Sequence, residues 1–556
     1  MKRTLALILA LLLMLPFAGL AETARPKVGN VYVDGLYPIC DEPIELTIAV
    51  STNPVDPYAE NHEKKATIVE MEKALNVKIN WITIPSDAIA ERKAVMLASG
   101  DMPDVFGGGW LTDQDIMQNS QLFVQLDELL PQYGKNIIAN LEDVTGGDWV
   151  QCMTYPDGHI YSIMGGNYKS AVVPRATPWW RQSWLDAVGM TTPTTTEELY
   201  NVLKAFKDAK LGGENTIPMD FCAADWASSL SYLFSIYGIT AGYADISNHY
   251  YTIKDGEVIG WANTQALRDC LEFLNLLVKD GLLNPEGFTQ TSEQFNSNLS
   301  SGNVGSMISF GTEIADETLA MDYVYQPTAI TAPGYEGQFL LATNDSTAYN
   351  RNSWTITTAC EEPIAALLVW DYLSQNLDFA YSVRYGAPGL IYDKIGDDYV
   401  EVNTYVVENF SVEDMKNYYS AEKYPWIYED LNDATNIVNS QVFQNPPLLR
   451  STLSQPEPKN VTTNRRLFVL YHYNNNEWMQ KENMGTAIIT PDQQDALDLE
   501  CDGLVSYIDS FIANSILDGL TDESWEAFQN GLNDYGYDYY IEWHQNYKDG
   551  TLNDFI

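Results

Sequence analysis

Between Ile44 and Phe106 the hydrophobic period of the chain switches repeatedly, and that alternation constrains the fold more than any other feature. Ile44, Leu46, Ile48 and Val50 alternate with other residues, as on a strand. Ile68, Met71 and Leu75 then share one helical face, and Val77, Ile79 and Trp81 alternate again. A helix over 88–99 carries its apolar positions through Val95, Met96 and Leu97 to Gly100, where a helix end favours a residue tolerant of positive φ. Pro103 forbids further helix, and Val105–Phe106 is a strand-like pair running into three glycines and Trp110. A β-α-β-α-β run of this kind predicts a mainly parallel sheet covered by helices.

A chain of 556 residues, 45% of them hydrophobic, is long enough for two or more cores. Met1–Ala21 reads as a signal peptide: Lys2 and Arg3, an apolar run from Leu5 to Leu15, then Gly19-Leu20-Ala21 as a cleavage site. The apolar run is too short to span a bilayer and no later one is long enough, so an exported mature protein is expected, extracellular or at the cell surface or periplasm. Cys40, the first cysteine, lies well past the cleavage point, which argues against a lipid anchor there. Residues 22–42, with Pro26 and Pro38, read as an extended tail. The formal charge of −45 repels nucleic acid and anionic membrane, so neither is an expected partner. The six cysteines (Cys40, Cys152, Cys222, Cys270, Cys360 and Cys501) are widely separated, and buried free thiols are favoured over bridges.

Motifs of catalysis are hard to find. The five histidines are scattered outside any HExxH helix, and there is no GxSxG elbow, phosphate loop or dinucleotide fingerprint. No metal or cofactor is implied. A secreted glycosidase, which needs only two carboxylates about 5–10 Å apart, remains the alternative reading among 76 acidic residues. The informative excess is aromatic, with 14 Trp and 35 Tyr. Indole and phenol faces stack on the apolar faces of sugar rings, although most such side chains belong to cores. Trp370 and Trp525 lie on apolar helical faces and are assigned to packing. Asp225–Tyr237 reads as an apolar helix, and Thr264–Lys279 as another with Leu267, Leu271, Leu274 and Val278 at helical spacing.

Several blocks, in order, resemble one family. Leu97–Asp104 (LASGDMPD) is similar to the ASGDxPD signature of the family 1 extracellular solute-binding proteins of ABC transporters, the group that includes maltose-binding protein. Tyr155–Met164 (YPDGHIYSIM) resembles that family's first crossing between lobes, with Gly165 and Gly166 suited to a hinge. Thr177–Ala209 resembles its RqDWLdklG…PtTldEl block, with Thr194 and Thr195 each three residues before a glutamate. Phe295–Phe310, Asn352–Leu373, Tyr385–Gly389 and Leu504–Tyr539 follow in the family's order. Where relatives place a calcium loop, Asp208–Asn215 has too few oxygen ligands at alternate positions.

The resemblance implies an α/β, two-lobed periplasmic-binding-protein-like (type II) fold with hinge crossings, each lobe on a mostly parallel sheet. Lobe one takes 43–163 and 326–386, and lobe two takes 164–325 and 387–556. It implies a monomer that captures a carbohydrate, an oligosaccharide above all, in the cleft and delivers it to membrane permease subunits. In that fold Trp110, Trp180, Trp226 and Trp354 stand at strand ends or crossings along the cleft and are the ligand-stacking candidates. Arg181 is either a donor to sugar hydroxyls or a uronate, or half of a buried salt bridge. Asp101 and Asp104 are read as turn and strand-end residues.

Overall fold

In the computed structural model the described residues are 25–52, 62–64, 66–145, 147, 149–165, 176–225, 228–240, 250–309, 311, 314, 316–341, 350–375, 392–395, 398–401 and 487–556. The large sheets are built from β1 (Ile44–Thr52), β2 (Val77–Pro85), β3 (Val105–Gly107), β4 (Ser162–Gly165), β5 (Thr177–Arg181), β6 (Ile217–Asp220), β7 (Val304–Ser309), β8 (Tyr323–Tyr325) and β9 (Asn350–Ile356). The first sheet is five-stranded, in the order β2-β1-β3-β9-β4, and the second is four-stranded, in the order β8-β5-β7-β6.

The expectation of mostly parallel sheets needs correction. β1 runs parallel to β2 and β3, but β9 is antiparallel to both β3 and β4. In the second sheet β7 is parallel to β6, and β5 is antiparallel to β7 and β8. The reason lies in the crossings. β1, β3 and β4 run toward one edge of the first sheet, and a strand returning from the other lobe enters at that edge and must run the opposite way.

Local structure follows the hydrophobic pattern closely in the first lobe. Helix α1 (Ala66–Leu75) buries Ile68, Met71 and Leu75 completely. Helix α2 (Ile89–Ser99) stops at Gly100, whose φ of 72° and N–H bond to the Met96 carbonyl make the left-handed cap. Helix α3 (Asp113–Gln118) begins in the capping box of Thr112 and Asp115. In the second lobe Thr195 caps α4 (Thr196–Asp208), and the Glu198 carboxylate accepts from both Thr194 N–H and Oγ1. Leu199, Leu203 and Phe206 of α4 are fully buried, as are Leu267, Leu271 and Leu274 of α5 (Gln265–Lys279). The apolar helix expected over 225–237 shrinks to Ser231–Ser235. Every residue of that turn is buried, so its apolar character reflects enclosure on all sides rather than one helical face.

Two separate cores result. One joins Ile48, Met71, Val105, Trp354 and Trp370, the last from α6 (Pro363–Leu373). The other joins Trp179, Leu203, Leu271 and Met307 to Ile508 and Phe528 of α7 (Leu504–Asp518) and α8 (Asp522–Asp534). Helix α9 (Tyr537–Asp549) adds Tyr537 and Tyr540 to it.

β4, in the first sheet, ends at Gly165, and β5, in the second, begins at Thr177. Ile330, Ala332, Phe339 and Leu341, which the expected boundaries give to lobe one, pack in the second core, and β9 starts at Asn350. The expected third crossing at 386 lies outside the described residues, as does Met1–Ala21. Ile488 still packs with Phe106, Leu111 and Tyr155 of the first lobe, immediately before the helices that join the second. The tail is not simply extended: Lys27–Val28 pairs with Val31–Tyr32, and Arg25 and Lys27 bind Asp34 and Asp41. All six cysteines are free thiols, five of them buried.

Candidate functional site

β1, β3 and β4 end, and β9 begins, at the edge of the first sheet from which the chain crosses to the other lobe. The turn after β3 is built from Gly108 and Gly109, with φ of 101° and 81°, which glycine adopts without strain. The Gly108 N–H donates to the Ser353 carbonyl at 2.8 Å and so ties the turn to β9. Trp110 follows, half-buried, with its indole N–H on the Gly107 carbonyl at 3.1 Å and its ring edge-on to Phe106 at 4.8 Å.

Beside it lies a polar cluster drawn from three distant stretches. Asp113, on α3, accepts from Arg351 Nη2 at 2.9 Å and Nε at 3.2 Å through Oδ2. Its Oδ1 accepts from Asn352 Nδ2 at 2.9 Å and from the Tyr155 hydroxyl at 3.4 Å. The Asn352 side-chain oxygen Oδ1 in turn accepts from the Tyr155 hydroxyl at 2.7 Å and from Ser162 Oγ at 2.8 Å. Burial opposes the charge on Arg351, but Asp113 outweighs it and holds the guanidinium above its ordinary pKa. Burial, with the Asp113 carboxylate nearby, pushes the Tyr155 phenol well above its ordinary range, so it stays a neutral donor. Tyr547 on α9, from the second core, is close enough to add to the field at Arg351.

A second pair flanks the first. Lys93 Nζ lies 2.6 Å from Asp115 Oδ2 and also reaches the Trp110 carbonyl at 3.4 Å. Burial pushes the Asp115 pKa up, yet Lys93 and the Thr112 N–H and hydroxyl bring it below the usual carboxylate value. Asp115 is thus held ionised by its neighbours, unlike a carboxyl kept protonated to act as a general acid.

The expected ligand residues divide. Trp180 is 0% exposed, lies within β5 between β7 and β8, and donates its indole N–H to Gln326 Oε1 at 2.8 Å. Trp354 is likewise 0% exposed, stacks on Trp370 at 4.9 Å and donates to the Ala366 carbonyl at 3.1 Å. Both are core residues, a correction of the ligand-stacking assignment, because each indole face is covered by packed side chains. Arg181 ends β5 away from the crossing and binds Asp322 at 2.9 Å and the Gly302 carbonyl at 2.5 Å. It is the buried-salt-bridge alternative, not a ligand donor. Trp226 lies outside the described residues. Trp110 alone of the described candidates keeps a partly open ring at the crossing edge.

Asp113, Tyr155, Arg351 and Asn352 were not legible as a unit in the sequence, since no spacing rule links them. Asp104 accepts from Thr47 N–H at 2.6 Å and hydroxyl at 2.7 Å, which makes it the strand-end residue expected. In the 208–215 stretch, Asp208 pairs with Lys204 and Glu214 with Lys210. Among the described residues no cluster of three or more acidic, His or Cys side chains is arranged to hold a metal.

Residues 60–374 match a family model described as bacterial extracellular solute-binding protein. The fructooligosaccharide ABC transporter substrate-binding protein FusA of Streptococcus pneumoniae serotype 4 is 25% identical over 64% of this chain and 65% of its own length. The polygalacturonan/rhamnogalacturonan-binding protein YtcQ of Bacillus subtilis is 23% identical over 45% of this chain and 48% of its own. The matched stretch therefore spans less than two thirds of either relative. Among solved structures, an HMO-binding ABC-transporter-associated solute-binding protein from Bifidobacterium longum infantis superposes with a TM-score of 0.70 at 19% identity, covering 92% of this chain and 99% of that one. FusA in complex with kestose gives 0.69 at 21% identity, covering 92% and 100%. These likenesses establish the two-lobed α/β fold.

Proposed function

The chain belongs to the bacterial extracellular solute-binding proteins, and from that premise we propose that it captures an oligosaccharide between its lobes and hands it to the permease subunits of an ABC importer. The observation that carries this reading is the crossing edge of the first sheet. There the half-buried Trp110 stands near the partly exposed Asp113–Arg351 pair, and sugar rings need both an aromatic platform and polar groups. The relatives reported above are named for fructooligosaccharide, HMO and polygalacturonan/rhamnogalacturonan, which favours an oligosaccharide here. No described helix is long and apolar enough to cross a membrane. We take the mature chain to be exported after cleavage near Ala21 and to act as a monomer without catalysis.

The test is a thermal-shift screen over plant, microbial and host oligosaccharides, followed by calorimetric titration of the hits. One sugar class should raise Tm and be recovered intact. Hydrolysis of the stabilising sugar would favour the glycosidase, and stabilisation by an amino acid or peptide alone would overturn the sugar assignment.

A further inference from the structure

The ligand site proposed above has an electrostatic design that narrows the class of sugar. Among the described residues, Arg351 and Lys93 are held at the crossing edge, and each is matched by a carboxylate. Asp113 faces the guanidinium of Arg351 side-on, taking both Nε and Nη2, while Nη1 lies 3.5 Å from the Cys152 carbonyl. The forked donor pair with which arginine grips a carboxylate is therefore occupied from within the protein. The Arg351 side chain is only 16% exposed and that of Asp113 27%, so solvent screens the pair weakly. Lys93 is closed off in the same way by Asp115, with side chains 15% and 21% exposed. Around them the chain carries a formal charge of −45.

We propose that Asp113 is a specificity-determining residue: by neutralising Arg351 it makes the site select uncharged oligosaccharides and reject uronic-acid ones. This rests on the oligosaccharide-capture reading of the same site. A uronate carboxylate arriving here finds the guanidinium fork taken and two aspartates in its path. Like-charge juxtaposition in a weakly solvated site disfavours binding strongly. A neutral sugar incurs no such repulsion. Relatives of both ligand types are known by name, fructooligosaccharide for FusA and polygalacturonan for YtcQ, so membership of the family leaves the choice open.

Length-matched trisaccharides test the proposal by calorimetric titration: kestose, laminaritriose and mannotriose against trigalacturonic and trimannuronic acids. The parent protein should bind at least one neutral probe at least about tenfold more tightly than either uronic one. Asp113→Asn, which uncovers the Arg351 charge, should shift the uronic-to-neutral affinity ratio about tenfold toward the uronic sugars. Asp113→Asn with Arg351→Gln should return the ratio toward that of the parent. Should Asp113→Asn fail to fold, Arg351→Gln alone supplies the mirror test and should move the ratio further against uronic sugars. Parent protein that binds a uronic probe as well as any neutral one overturns the proposal and leaves oligosaccharide capture standing. So does an Asp113→Asn ratio equal to the parent's. Binding of none of the five probes removes the oligosaccharide reading itself, and this inference with it.

Discussion

Trp110 and Trp180 have the same motivation in the sequence, an indole at a strand end near a lobe crossing, yet their surroundings assign them opposite roles. Trp180 is enclosed on both faces and hydrogen-bonded to Gln326. Trp180→Ala should therefore cost about 3–5 kcal/mol of stability, seen as a lower Tm, with affinity preserved in the fraction that folds. Trp110→Ala should do the reverse. Loss of about 2 kcal/mol of stacking would weaken sugar binding roughly thirty-fold while the melting curve moves little. Equal affinity in Trp110→Ala and parent would place the stacking surface elsewhere. Asp115 supplies a test by pH. Its carboxyl is held below the usual value, chiefly by Lys93 against the opposing effect of burial, so its contribution to stability is complete above the unfolded-state pKa. That contribution disappears as pH falls through the folded-state value. Asp115→Asn should be less stable than the parent by about 1 kcal/mol at pH 7, and the gap should close below about pH 4. A gap that persists at pH 3 would assign the effect to packing instead.

At the scale of elements, the second lobe depends on a close approach between β7 and the helices above it. A Cβ on Gly305 would stand 2.6 Å from ring atoms of both Phe206 and Trp184, whose rings already meet edge-on at 5.4 Å. These rings are buried and have no room to yield. Gly305→Ala should destabilise the protein by about 1–3 kcal/mol, read as a lower urea midpoint with an unchanged slope. The short helix α3 illustrates the same dependence on context. Thr112 caps it, and Asp115 serves both as the third residue of the capping box and as the partner of Lys93. A local signal for helix initiation therefore also anchors one side of the candidate site.

For the whole molecule, the two large cores are expected to close on ligand as rigid bodies. Small-angle scattering with saturating oligosaccharide should give a smaller radius of gyration than without it. An unchanged radius would mean a preformed, rigid cleft. Contacts between the lobes near the crossings already exist in the structure. Ile488 packs with Phe106 and Leu111, and Tyr547 stands near Arg351. Closure must pivot about these contacts rather than break them.

Periodicity and punctuation in the sequence determined β1, β2, α1 and α2, because the first three bury apolar side chains at regular spacing and α2 ends at a residue with a special backbone need, Gly100. The ordered family blocks determined the two-lobed class. Strand direction at β5 and β9, the packing of Ile330 and Leu341 in the second core, and the surroundings of Trp180, Trp354 and Arg181 were decided only by the tertiary structure. An indole reads the same in a core as at a cleft until the residues covering its faces are known. Asp113, Tyr155 and Arg351 meet only because separate strands end at one sheet edge, and no local pattern encodes a pairing between side chains so far apart in the chain.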